Sequence, residues 1–382
     1  MHLKKIPLTT ALPFFPQEEQ VIITKQLSSV LNDSLSMGPF TEEFETKFAS
    51  FCGTRYGVAF PSCTSALEVS LKYLGVGPGD EVIVPCQTFV ATAASVCNVG
   101  ARPIFCDINP DTLSMDHQKA HNLINSKTKG IIIVHYGGYI DPQLEEFIFQ
   151  IKNKDLFIIE DAAHAHGSEL NGKKAGSFGD IGCFSFYPTK VMTTGEGGFL
   201  TTDEQNIHKF AKSMQNRGRD LDSEIEVYEK CGTNLRFTEF SAILGLSQLR
   251  SLPYFLQTRR SIASLYLNEL SSNKLLTPIP SMLTQSLSSY WRFPVLSKHP
   301  FKRDEFAKFL KSKNIFIDWS YAPGVHLQPV FKNKYGFSTG SLQFSENILS
   351  KLFCLPMHAR LSTDDATYVM ETVLLNFNDY II

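Results

Sequence analysis

The chain has 382 residues, and its 36 Lys and Arg residues nearly balance its 38 Asp and Glu residues, which gives a formal net charge of −2. This balance provides neither the basic surface of a nucleic-acid-binding protein nor a polybasic segment that would attract an anionic membrane. With 43% hydrophobic and 19% charged residues, the composition is that of a globular protein of roughly two to three domains rather than of a disordered chain.

The cysteines and the N-terminal segment bear on the cellular compartment. The 8 cysteines are scattered singly and form no C-x-x-C pair, which disfavours a zinc ribbon or a thioredoxin-type motif. We interpret them as reduced thiols and expect a cytoplasmic protein. Met1–Pro16 has two lysines before apolar residues, as a signal peptide does, but three prolines interrupt it, so we expect an extended arm. No apolar run approaches the length of a membrane-spanning helix.

Residues 55 to 200 alternate short apolar runs with helical or turn-rich stretches. Several runs are apolar on successive residues, which is typical of strands buried on both faces of a mostly parallel sheet. The strands are predicted at Tyr56–Phe60, Glu81–Val84, Arg102–Cys106, Gly130–Val134, Leu156–Ile159 and Ile181–Phe186. Helices are predicted between them at Thr64–Leu74, Thr88–Val99, Met115–Ile124 and Gln143–Lys152. This order predicts an open α/β sheet with helices on both sides.

The pattern changes after residue 205. Amphipathic helices are predicted at Thr238–Leu252 and Arg259–Leu270, and a Ser-, Pro- and Thr-rich connection at Ser271–Ser289. The later elements are predicted as strands Trp291–Leu296 and Ile315–Trp319 and helices Arg303–Lys313 and Thr363–Leu375. We expect residues 1–250 to form an N-terminal arm and a large α/β domain, and residues 251–382 to form a smaller α+β domain.

Polar or aromatic residues follow several of the predicted strands, at the edge where open α/β sheets bind ligands. After the first strand, Ser62, Cys63 and Thr64 form a turn that opens a helix, and backbone N–H groups at such a helix start bind phosphate. The alternative for this turn alone is an ordinary helix cap. Phe89 follows the second strand, and Asp161 follows the fifth, where a carboxylate caps a helix, pairs with a cation or binds a metal. Two histidines lie nearby, but their spacing matches no known set of metal ligands, so no metal site is predicted.

Lys190 follows the predicted strand Ile181–Phe186, with hydroxyl residues before it and flexible glycines behind it. A partly desolvated lysine has a lowered pKa, and its neutral amine forms a Schiff base with a carbonyl group. A lone lysine in a loop is usually a surface residue, but this one accompanies a carboxylate, a phosphate-type turn and an aromatic ring. Pyridoxal phosphate requires these four groups: a lysine, a carboxylate on its ring nitrogen, a phosphate cradle and a stacking face.

The stretch from Ser185 to Lys190, with Gly195–Gly198, resembles the lysine motif of the DegT/DnrJ/StrS family, the pyridoxal-phosphate-dependent sugar aminotransferases of fold type I. Further matching stretches occur in order along nearly the whole chain, at Gly38–Phe40 with Phe44 and Glu45, Ser62–Leu67, Pro85–Ala91, Glu160–Gly167, Gly232–Leu249 and Pro323–Pro329. The resemblance implies a large, mostly parallel α/β domain with a smaller C-terminal α+β domain.

The resemblance also implies a role for each matching site residue. Lys190 would bind the cofactor as a Schiff base and later move the proton between substrate carbon and cofactor. Asp161 would pair with the ring nitrogen, Phe89 would stack on the ring, and His164 would lie beside the ring hydroxyl. The phosphate would be held by Thr64 and Ser185, with backbone donors from Ser62 to Thr64. Asn234 would reach the phosphate of a neighbouring subunit, which implies a homodimer with shared active sites.

Two residues depart from the family pattern. Cys63 stands where a glycine is common, which puts the backbone contact to the phosphate in question. Leu235 replaces an aromatic residue beside the bridging asparagine, which weakens any assignment of a substrate wall there. His135 and His326 lie in family-like stretches, and His326 is a candidate for a sugar contact across the dimer, but for both a structural role is at least as well supported.

The implied activity is transfer of an amino group from an amino acid, L-glutamate above all, to a keto-sugar, usually a nucleotide-linked keto-deoxysugar, in two ping-pong half-reactions. The pyridoxamine phosphate form would arise between them. Three alternatives remain: a cyclitol or other non-sugar transaminase, a sugar dehydratase (disfavoured because its relatives replace the lysine with histidine), and a non-catalytic cofactor or sugar sensor. A nicotinamide oxidoreductase is disfavoured because the glycine-rich Gly75–Asp80 follows a helix and precedes a strand.

Overall fold

The structure is a computed structural model in which residues 7–280 and 286–382 are described. The strands, numbered along the chain, are β1 Tyr56–Phe60, β2 Glu81–Pro85, β3 Arg102–Cys106, β4 Thr128–Val134, β5 Phe157–Asp161, β6 Glu169–Leu170, β7 Lys173–Lys174, β8 Ile181–Ser185, β9 Gly198–Thr202, β10 Leu276–Pro278, β11 Ser286–Leu287, β12 Phe293–Ser297 and β13 Leu352–Leu355. The α-helices are α1 Gln17–Val30, α2 Pro39–Cys52, α3 Cys63–Tyr73, α4 Val90–Asn98, α5 His117–Leu123, α6 Leu144–Lys152, α7 Gln205–Gln215, α8 Glu239–Leu270, α9 Arg303–Ser312, α10 Pro329–Tyr335, α11 Gln343–Ser350 and α12 Thr363–Asn376.

Seven strands form the large sheet in the order β1-β9-β8-β5-β4-β2-β3. The pairs among β2, β3, β4, β5 and β8 are parallel, whereas β9 lies antiparallel to both β1 and β8. The predicted open, mostly parallel α/β sheet is confirmed. Because β9 is antiparallel to both of its neighbours, β1 runs in the same direction as β8. The carboxyl ends of β1, β2, β4, β5 and β8 therefore lie at one edge of the sheet, together with the start of β9.

The large sheet is buried on both faces, as its continuous apolar strands predicted. Along β4, Ile131 and Ile133 belong to the core on one face and Ile132 to the core on the other, which is the alternation that a pleated strand imposes. A group of phenylalanines fills the first face, so the phenylalanine-rich composition is largely a core feature: Phe44, Phe48, Phe184, Phe186 and Phe199 are in mutual ring contact. Among the described residues, no helix combines the length and apolarity needed to cross a membrane.

The C-terminal part has its own small sheet and core. Strands β10, β12 and β13 pair antiparallel, and their buried residues pack with α9, α12 and the second half of α8. The proposed domain division near residue 250 falls within α8, which contacts α1 and α2 near its start and α12 and β10 towards its end.

The two helices predicted at Thr238–Leu252 and Arg259–Leu270 are one helix of 32 residues with Pro253 inside it. A proline in a helix interior costs about 3 kcal/mol because it removes one hydrogen bond and crowds the preceding turn. Leu252, Phe255 and Leu256 are buried around this proline, so packing across the junction keeps the helix continuous. The separation into two helices was therefore wrong.

The strand predicted at Ile315–Trp319 was also wrong. Ile315 forms a single bridge with Leu8, and Asp318 forms another with Cys354, so the segment changes partner before a ladder develops. Within the predicted connection Ser271–Ser289, residues 281–285 lie outside the described residues, as do residues 1–6 of the predicted arm.

The start of α2 depends on a carboxylate from another helix. Glu239, the first residue of α8, is fully buried, and its carboxylate accepts hydrogen bonds from the backbone N–H groups of Gly38 (3.0 Å), Phe40 (2.8 Å) and Thr41 (2.9 Å). These are N–H groups that a helix leaves without an internal partner, and the negative charge also matches the helix dipole. The contact joins the N-terminal segment to the beginning of α8.

We expect Glu239→Gln to lower the free energy of unfolding by about 1–3 kcal/mol, because an amide accepts these bonds less strongly than a carboxylate. Urea unfolding followed by circular dichroism measures the loss. The matched control is Glu42→Gln, the same change at an exposed position in the first turn of α2, which we expect to cost less than about 1 kcal/mol. Equal losses in the two variants would contradict the capping role.

Candidate active site

A cavity of about 410 Å³ opens at the edge where the carboxyl ends of β1, β2, β5 and β8 meet. The large sheet supplies one wall, and residues after α8 supply the other. Eight of the nine residues selected from the sequence line this cavity: Ser62, Cys63, Thr64, Phe89, Asp161, His164, Ser185 and Lys190. The topology explains this meeting, because each of the eight lies at or shortly beyond the same edge of the sheet.

The turn after β1 forms the start of α3. Ser62 caps the helix, since its hydroxyl accepts a hydrogen bond from Ser65 N (3.2 Å), and Cys63 and Thr64 occupy the first helical turn. Gly198, which begins β9, makes room for this turn, because a Cβ atom there would collide with the backbone of Ser62 and Cys63. The helix start is therefore held against the sheet with its N–H groups available to an anion.

Cys63 causes no backbone strain in this turn. It is the first residue of α3 and has no positive φ, so the position does not require glycine. Burial, together with the charge of Asp161, raises the pKa of the Cys63 thiol well above its ordinary value. The cysteine therefore stands in the cavity as a neutral thiol.

Asp161 ends β5 and is buried, with its carboxylate fixed by two hydrogen bonds. Oδ2 accepts from the hydroxyl of Thr92 (2.7 Å), which is in turn 2.7 Å from the hydroxyl of Thr88, and Oδ1 accepts from Ala163 N (3.2 Å). Burial raises the pKa of Asp161, while the Thr92 hydrogen bond and the charge of Lys190 oppose that rise. No cationic side chain of the described residues lies within ion-pair distance of it.

Lys190 lies in the loop after β8, and its Nζ is 4.5 Å from the centre of the Trp291 ring. Burial lowers the pKa of Lys190 to about 8, although the nearby carboxylate of Asp161 acts in the opposite direction. The indole N–H of Trp291 donates to the carbonyl of Thr189 (2.7 Å) and so fixes the ring beside the lysine. The amine is thus brought close to the range in which its neutral form is abundant.

His164 stacks on Trp291, with ring centres 3.7 Å apart and planes 8° from parallel. Its Nε2 is 3.1 Å from the hydroxyl of Tyr321, whereas its buried Nδ1 has no hydrogen-bond partner among the described residues. Burial, with the charges of Lys190 and Arg292, lowers the pKa of His164 well below its ordinary value. The imidazole is therefore neutral, with one nitrogen free for a bound molecule.

Phe89 and Tyr321 lie where the cavity opens outward. The Phe89 side chain is 55% exposed, and its ring centre is 5.8 Å from that of Tyr321. Both residues also line an adjoining groove of about 650 Å³, whose other walls include Trp319, Gln328 and Val330. A large exposed aromatic ring at the mouth of a cavity is suited to cover a flat ligand.

Asn234 is the one selected residue that does not line the cavity. It is exposed, and its side-chain oxygen accepts a hydrogen bond from Arg236 N (3.3 Å) within its own loop. Within the part of the chain that the structure describes, Asn234 therefore lies apart from the other eight residues.

The two histidines held back from the site have structural contacts. His135 Nε2 is 2.8 Å from Glu160, a buried carboxylate that also accepts hydrogen bonds from the backbone of Gly176, Phe178 and Gly179. His326 is buried and paired with Glu346 (3.1 Å), and it does not line the cavity. The suggested contact of His326 with the sugar across the dimer stays a prediction.

Sequence reasoning missed five residues that shape the cavity. Thr88 lies just before α4 and Thr92 lies in its first turn. Two hydroxyl residues four positions apart at a helix start could have been recognised in the sequence as candidate site residues. Trp291, Arg292 and Tyr321 come from the C-terminal part of the chain. Nothing local in the sequence marks these three, because long-range packing alone brings them to the sheet edge.

Comparison with known proteins gives a consistent result. Residues 17–374 match the model of the DegT/DnrJ/EryC1/StrS aminotransferase family. The chain is 31% identical over 373 residues to dTDP-4-dehydro-2,3,6-trideoxy-D-glucose 4-aminotransferase of Saccharopolyspora spinosa, covering 91% of this chain and 92% of that protein.

Solved structures are similar over almost the whole chain. Helicobacter pylori PseC, an aminotransferase involved in the biosynthesis of pseudoaminic acid, superposes with a TM-score of 0.90 at 27% identity, covering 98% of this chain and 100% of that one. The putative sugar aminotransferase Spr1654 of Streptococcus pneumoniae, in its PLP form, has a TM-score of 0.87 at 28% identity, covering 95% and 97% of the two chains.

The lowered pKa of Lys190 predicts that its reaction with a small aldehyde increases through about pH 8, because the protonated amine below that pH cannot attack a carbonyl. Reductive methylation of the apoprotein with formaldehyde, quantified by peptide mass spectrometry over a pH series, measures this midpoint. Exposed Lys154 in the same digest is the control for the pH dependence of the reagent itself. Methylation of Lys190 that rises with pH in parallel with that of Lys154 would contradict the desolvation of Lys190.

Proposed function

The chain belongs to the DegT/DnrJ/EryC1/StrS aminotransferase family, and from this premise we propose that it moves an amino group from an amino acid, L-glutamate, to a nucleotide-linked keto-deoxysugar. It is a pyridoxal-phosphate-dependent aminotransferase. The observation that carries the proposal is one cavity that combines a lysine of lowered pKa, a buried carboxylate without a cationic partner and the N-terminus of a helix.

The cavity residues fit pyridoxal 5'-phosphate. The unpaired, desolvated carboxylate of Asp161 is suited to a protonated ring nitrogen, and the orphaned nitrogen of His164 is suited to the ring hydroxyl. When bound, this cofactor supplies an electron-withdrawing ring for chemistry at the substrate's reacting carbon. Asp161 keeps that ring positively charged, and the hydroxyl of Thr92 holds the carboxylate in place for this purpose.

The phosphate is proposed to bind at the start of α3 and the end of β8. Ser62, Cys63 and Thr64 supply backbone N–H groups, and the hydroxyls of Thr64 and Ser185 add donors. The helix dipole supports a negative charge at that place without a cationic side chain. Phe89 is proposed to cover the ring with its exposed side chain.

Lys190 is proposed as the catalytic residue. Its neutral Nζ would hold the cofactor through the carbonyl group, and the same nitrogen, when not so engaged, would take up and give back the proton of the substrate's reacting carbon. A pKa near 8 suits both tasks, because donor and acceptor forms of Nζ are then both populated near neutral pH. The same nitrogen serves the amino-acid and the sugar half-reactions, which is the basis of ping-pong kinetics.

The keto-sugar substrate is supported by the relatives and by the space outside the cavity. One relative is named for a dTDP-linked dehydro-trideoxyglucose, one structural neighbour is named as a putative sugar aminotransferase, and another as an aminotransferase involved in the biosynthesis of pseudoaminic acid. The groove of about 650 Å³ that continues outward past Phe89 and Tyr321 gives room for the part of the substrate beyond the sugar. The proposed location is the cytoplasm, because all eight cysteines are free thiols.

We also propose a homodimer in which Asn234 of each subunit contributes to the other subunit's phosphate site. Asn234 is exposed and outside its own cavity. The preceding segment presents several exposed apolar side chains that a second subunit would cover, namely Leu221, Ile225, Val227 and Tyr228.

The purified protein is expected to be yellow, and L-glutamate is expected to bleach it as the amine form of the cofactor accumulates. Subsequent addition of nucleotide keto-sugars, tested as a panel with mass spectrometry of the aminated product, identifies the acceptor. Lys190→Ala should abolish the full reaction while the fold, followed by circular dichroism, is retained; Lys154→Ala is the surface control. A colourless protein that binds no pyridoxal phosphate would refute the assignment.

Shared sites predict complementation between two inactive variants. A mixed dimer of Lys190→Ala and Asn234→Asp subunits contains one site with both changes and one with neither, so co-expression should restore activity that neither variant shows alone. Purification through two different tags isolates the mixed dimer, and initial rates measure the recovery. If Asn234 served its own subunit's site, no mixture would recover activity.

A further inference from the structure

Trp319 is an aromatic residue near the active cavity that takes no part in holding the cofactor. It lines the groove of about 650 Å³ that continues outward past Phe89 and Tyr321 (the outer groove), and it does not line the cavity of Lys190. A second groove of about 330 Å³ beside α9 shares Ile317 and Trp319 with the outer groove. Trp319 therefore lies where the two grooves meet, outside the cavity that contains the reacting amine.

The backbone on both sides of Trp319 is fixed. Asp318 exchanges backbone hydrogen bonds with Cys354 of β13, in which Cys354 N donates to Asp318 O (2.7 Å) and Asp318 N donates to Cys354 O (3.4 Å). The carbonyl of Trp319 accepts a hydrogen bond from Ala322 N (2.8 Å), and the hydroxyl of Ser320 donates to the carboxylate of Asp318 (3.0 Å). A ligand that stacks on Trp319 therefore meets a segment that is already ordered, which lowers the entropic cost of binding.

The indole ring of Trp319 has one face occupied and part of its surface free. The guanidinium of Arg303 lies over the ring, with its Cζ 4.7 Å from the ring centre. Arg303 is itself fixed, because its Nη1 donates to the backbone carbonyls of Leu349 (3.0 Å) and Leu352 (3.4 Å). Trp319 is nevertheless only half-buried, and its remaining surface borders the two grooves. The fold thus presents a fixed aromatic surface to a molecule in either groove.

We propose that Trp319 binds the nucleobase of the keto-sugar nucleotide by ring stacking. This inference rests on the proposed function and identifies a residue that holds one of its two substrates. With the sugar beside Lys190, the nucleotide has to extend past Phe89 and Tyr321 into the outer groove. The base is the flat part of such a substrate, and stacking on an aromatic side chain is open to every base because each has a π-face.

Trp319 is the aromatic residue of the outer groove whose position suits the base. The described lining of this groove contains three aromatic residues, and two of them, Phe89 and Tyr321, also line the cavity beside the proposed cofactor ring. Trp319 lines the groove alone, so it is placed for the end of the substrate that lies farthest from Lys190. L-Glutamate has no flat ring, so we expect Trp319 to act in the sugar half-reaction only.

The charges near Trp319 suit a diphosphate-linked substrate. Lys308 and Lys311 line the second groove with one carboxylate, that of Asp304, and the guanidinium on the indole ring adds a further positive charge. The outer groove has no lysine or arginine among its described lining residues, and its carboxylate, Asp318, is paired with an arginine. Positive charge is therefore concentrated at the Trp319 end of the path and attracts an anion in that direction. Because both lysines are exposed, salt screens their attraction, and stacking supplies the specific contact.

The test uses the holoenzyme and compares Trp319→Leu and Trp319→Phe with the wild type. The probes are the diphosphates of thymidine, uridine and guanosine, and their binding is measured by titration calorimetry. We expect Trp319→Leu to weaken binding of the tightest probe by about 5- to 100-fold, as loss of base stacking does, and Trp319→Phe, which keeps a smaller ring, to lie between. The matched control is Phe344→Leu, which removes an exposed ring that also has a lysine over one face, that of Lys119, but lines neither groove. Its nucleoside diphosphate affinity should equal that of the wild type.

The two half-reactions separate base stacking from a general structural effect. In Trp319→Leu the KM of the amine form for the keto-sugar nucleotide should rise by the same factor, while kcat stays constant. The L-glutamate concentration that half-bleaches the colour should also stay constant, because the donor has no base to stack. Wild-type affinity of Trp319→Leu for all three nucleoside diphosphates, or an equal loss of affinity for L-glutamate, would overturn the role of Trp319.

Fluorescence tests the contact without replacing Trp319. The chain has two tryptophans, so the tryptophan emission of a Trp291→Phe holoenzyme comes from Trp319 alone. A base stacked on an indole ring quenches its emission, and we expect a saturating nucleoside diphosphate to lower it. Unchanged emission at saturation would contradict the inference even if Trp319→Leu failed to fold.

Failure of the proposed function gives a different result from failure of this inference. A wild type that L-glutamate bleaches but that aminates no nucleotide sugar refutes the acceptor, while nucleoside diphosphate binding still decides the role of Trp319. A wild type that aminates a nucleotide sugar, with no loss of affinity in Trp319→Leu, refutes the inference alone. A wild type that binds none of the three nucleoside diphosphates also overturns the inference. Retained cofactor absorbance shows that each variant is folded.

Discussion

The active cavity depends on the removal of two opposite charges from water at one edge of the sheet. Burial favours the neutral forms of Asp161 and Lys190, because desolvation raises the pKa of the acid and lowers that of the amine. Each charge partly offsets the other's desolvation, and the Thr92 hydroxyl further supports the carboxylate. The proposed cofactor suits this pair, since its protonated ring nitrogen would face the carboxylate and its carbonyl group the amine.

The large sheet and the C-terminal part line different sides of the cavity. The sheet edge provides the groups proposed to hold the cofactor, and Gly198 leaves room for the turn at Ser62 and Cys63 to lie against β9. The C-terminal part closes the cavity with Trp291, Arg292 and Tyr321, and this wall excludes the water that would otherwise cancel the pKa shifts. Helix α8 joins the two parts and, through Glu239, also fixes the start of α2.

Much of the sheet and its edge was predictable because the determinants are local. Buried strands such as β4 are apolar on successive residues, and turns such as that at Ser62 carry their own capping chemistry, so most of the strands and the positions of Asp161 and Lys190 could be read directly, although β9 was missed. The continuity of α8 through Pro253 and the absence of a strand at Ile315–Trp319 could not, because tertiary packing and competing partners decide them.

The same distinction between local and long-range determinants explains why the sequence predicts the cofactor more readily than the substrate. The proposed cofactor-binding groups lie in short motifs at strand ends, where spacing and residue type are linked by the topology. The side chains of the facing wall, Trp291 and Tyr321 among them, come from segments roughly a hundred residues further along the chain and meet the cavity only through the packing of the small sheet. Sequence motifs therefore locate the sheet edge, whereas the wall that faces it is known only from the fold.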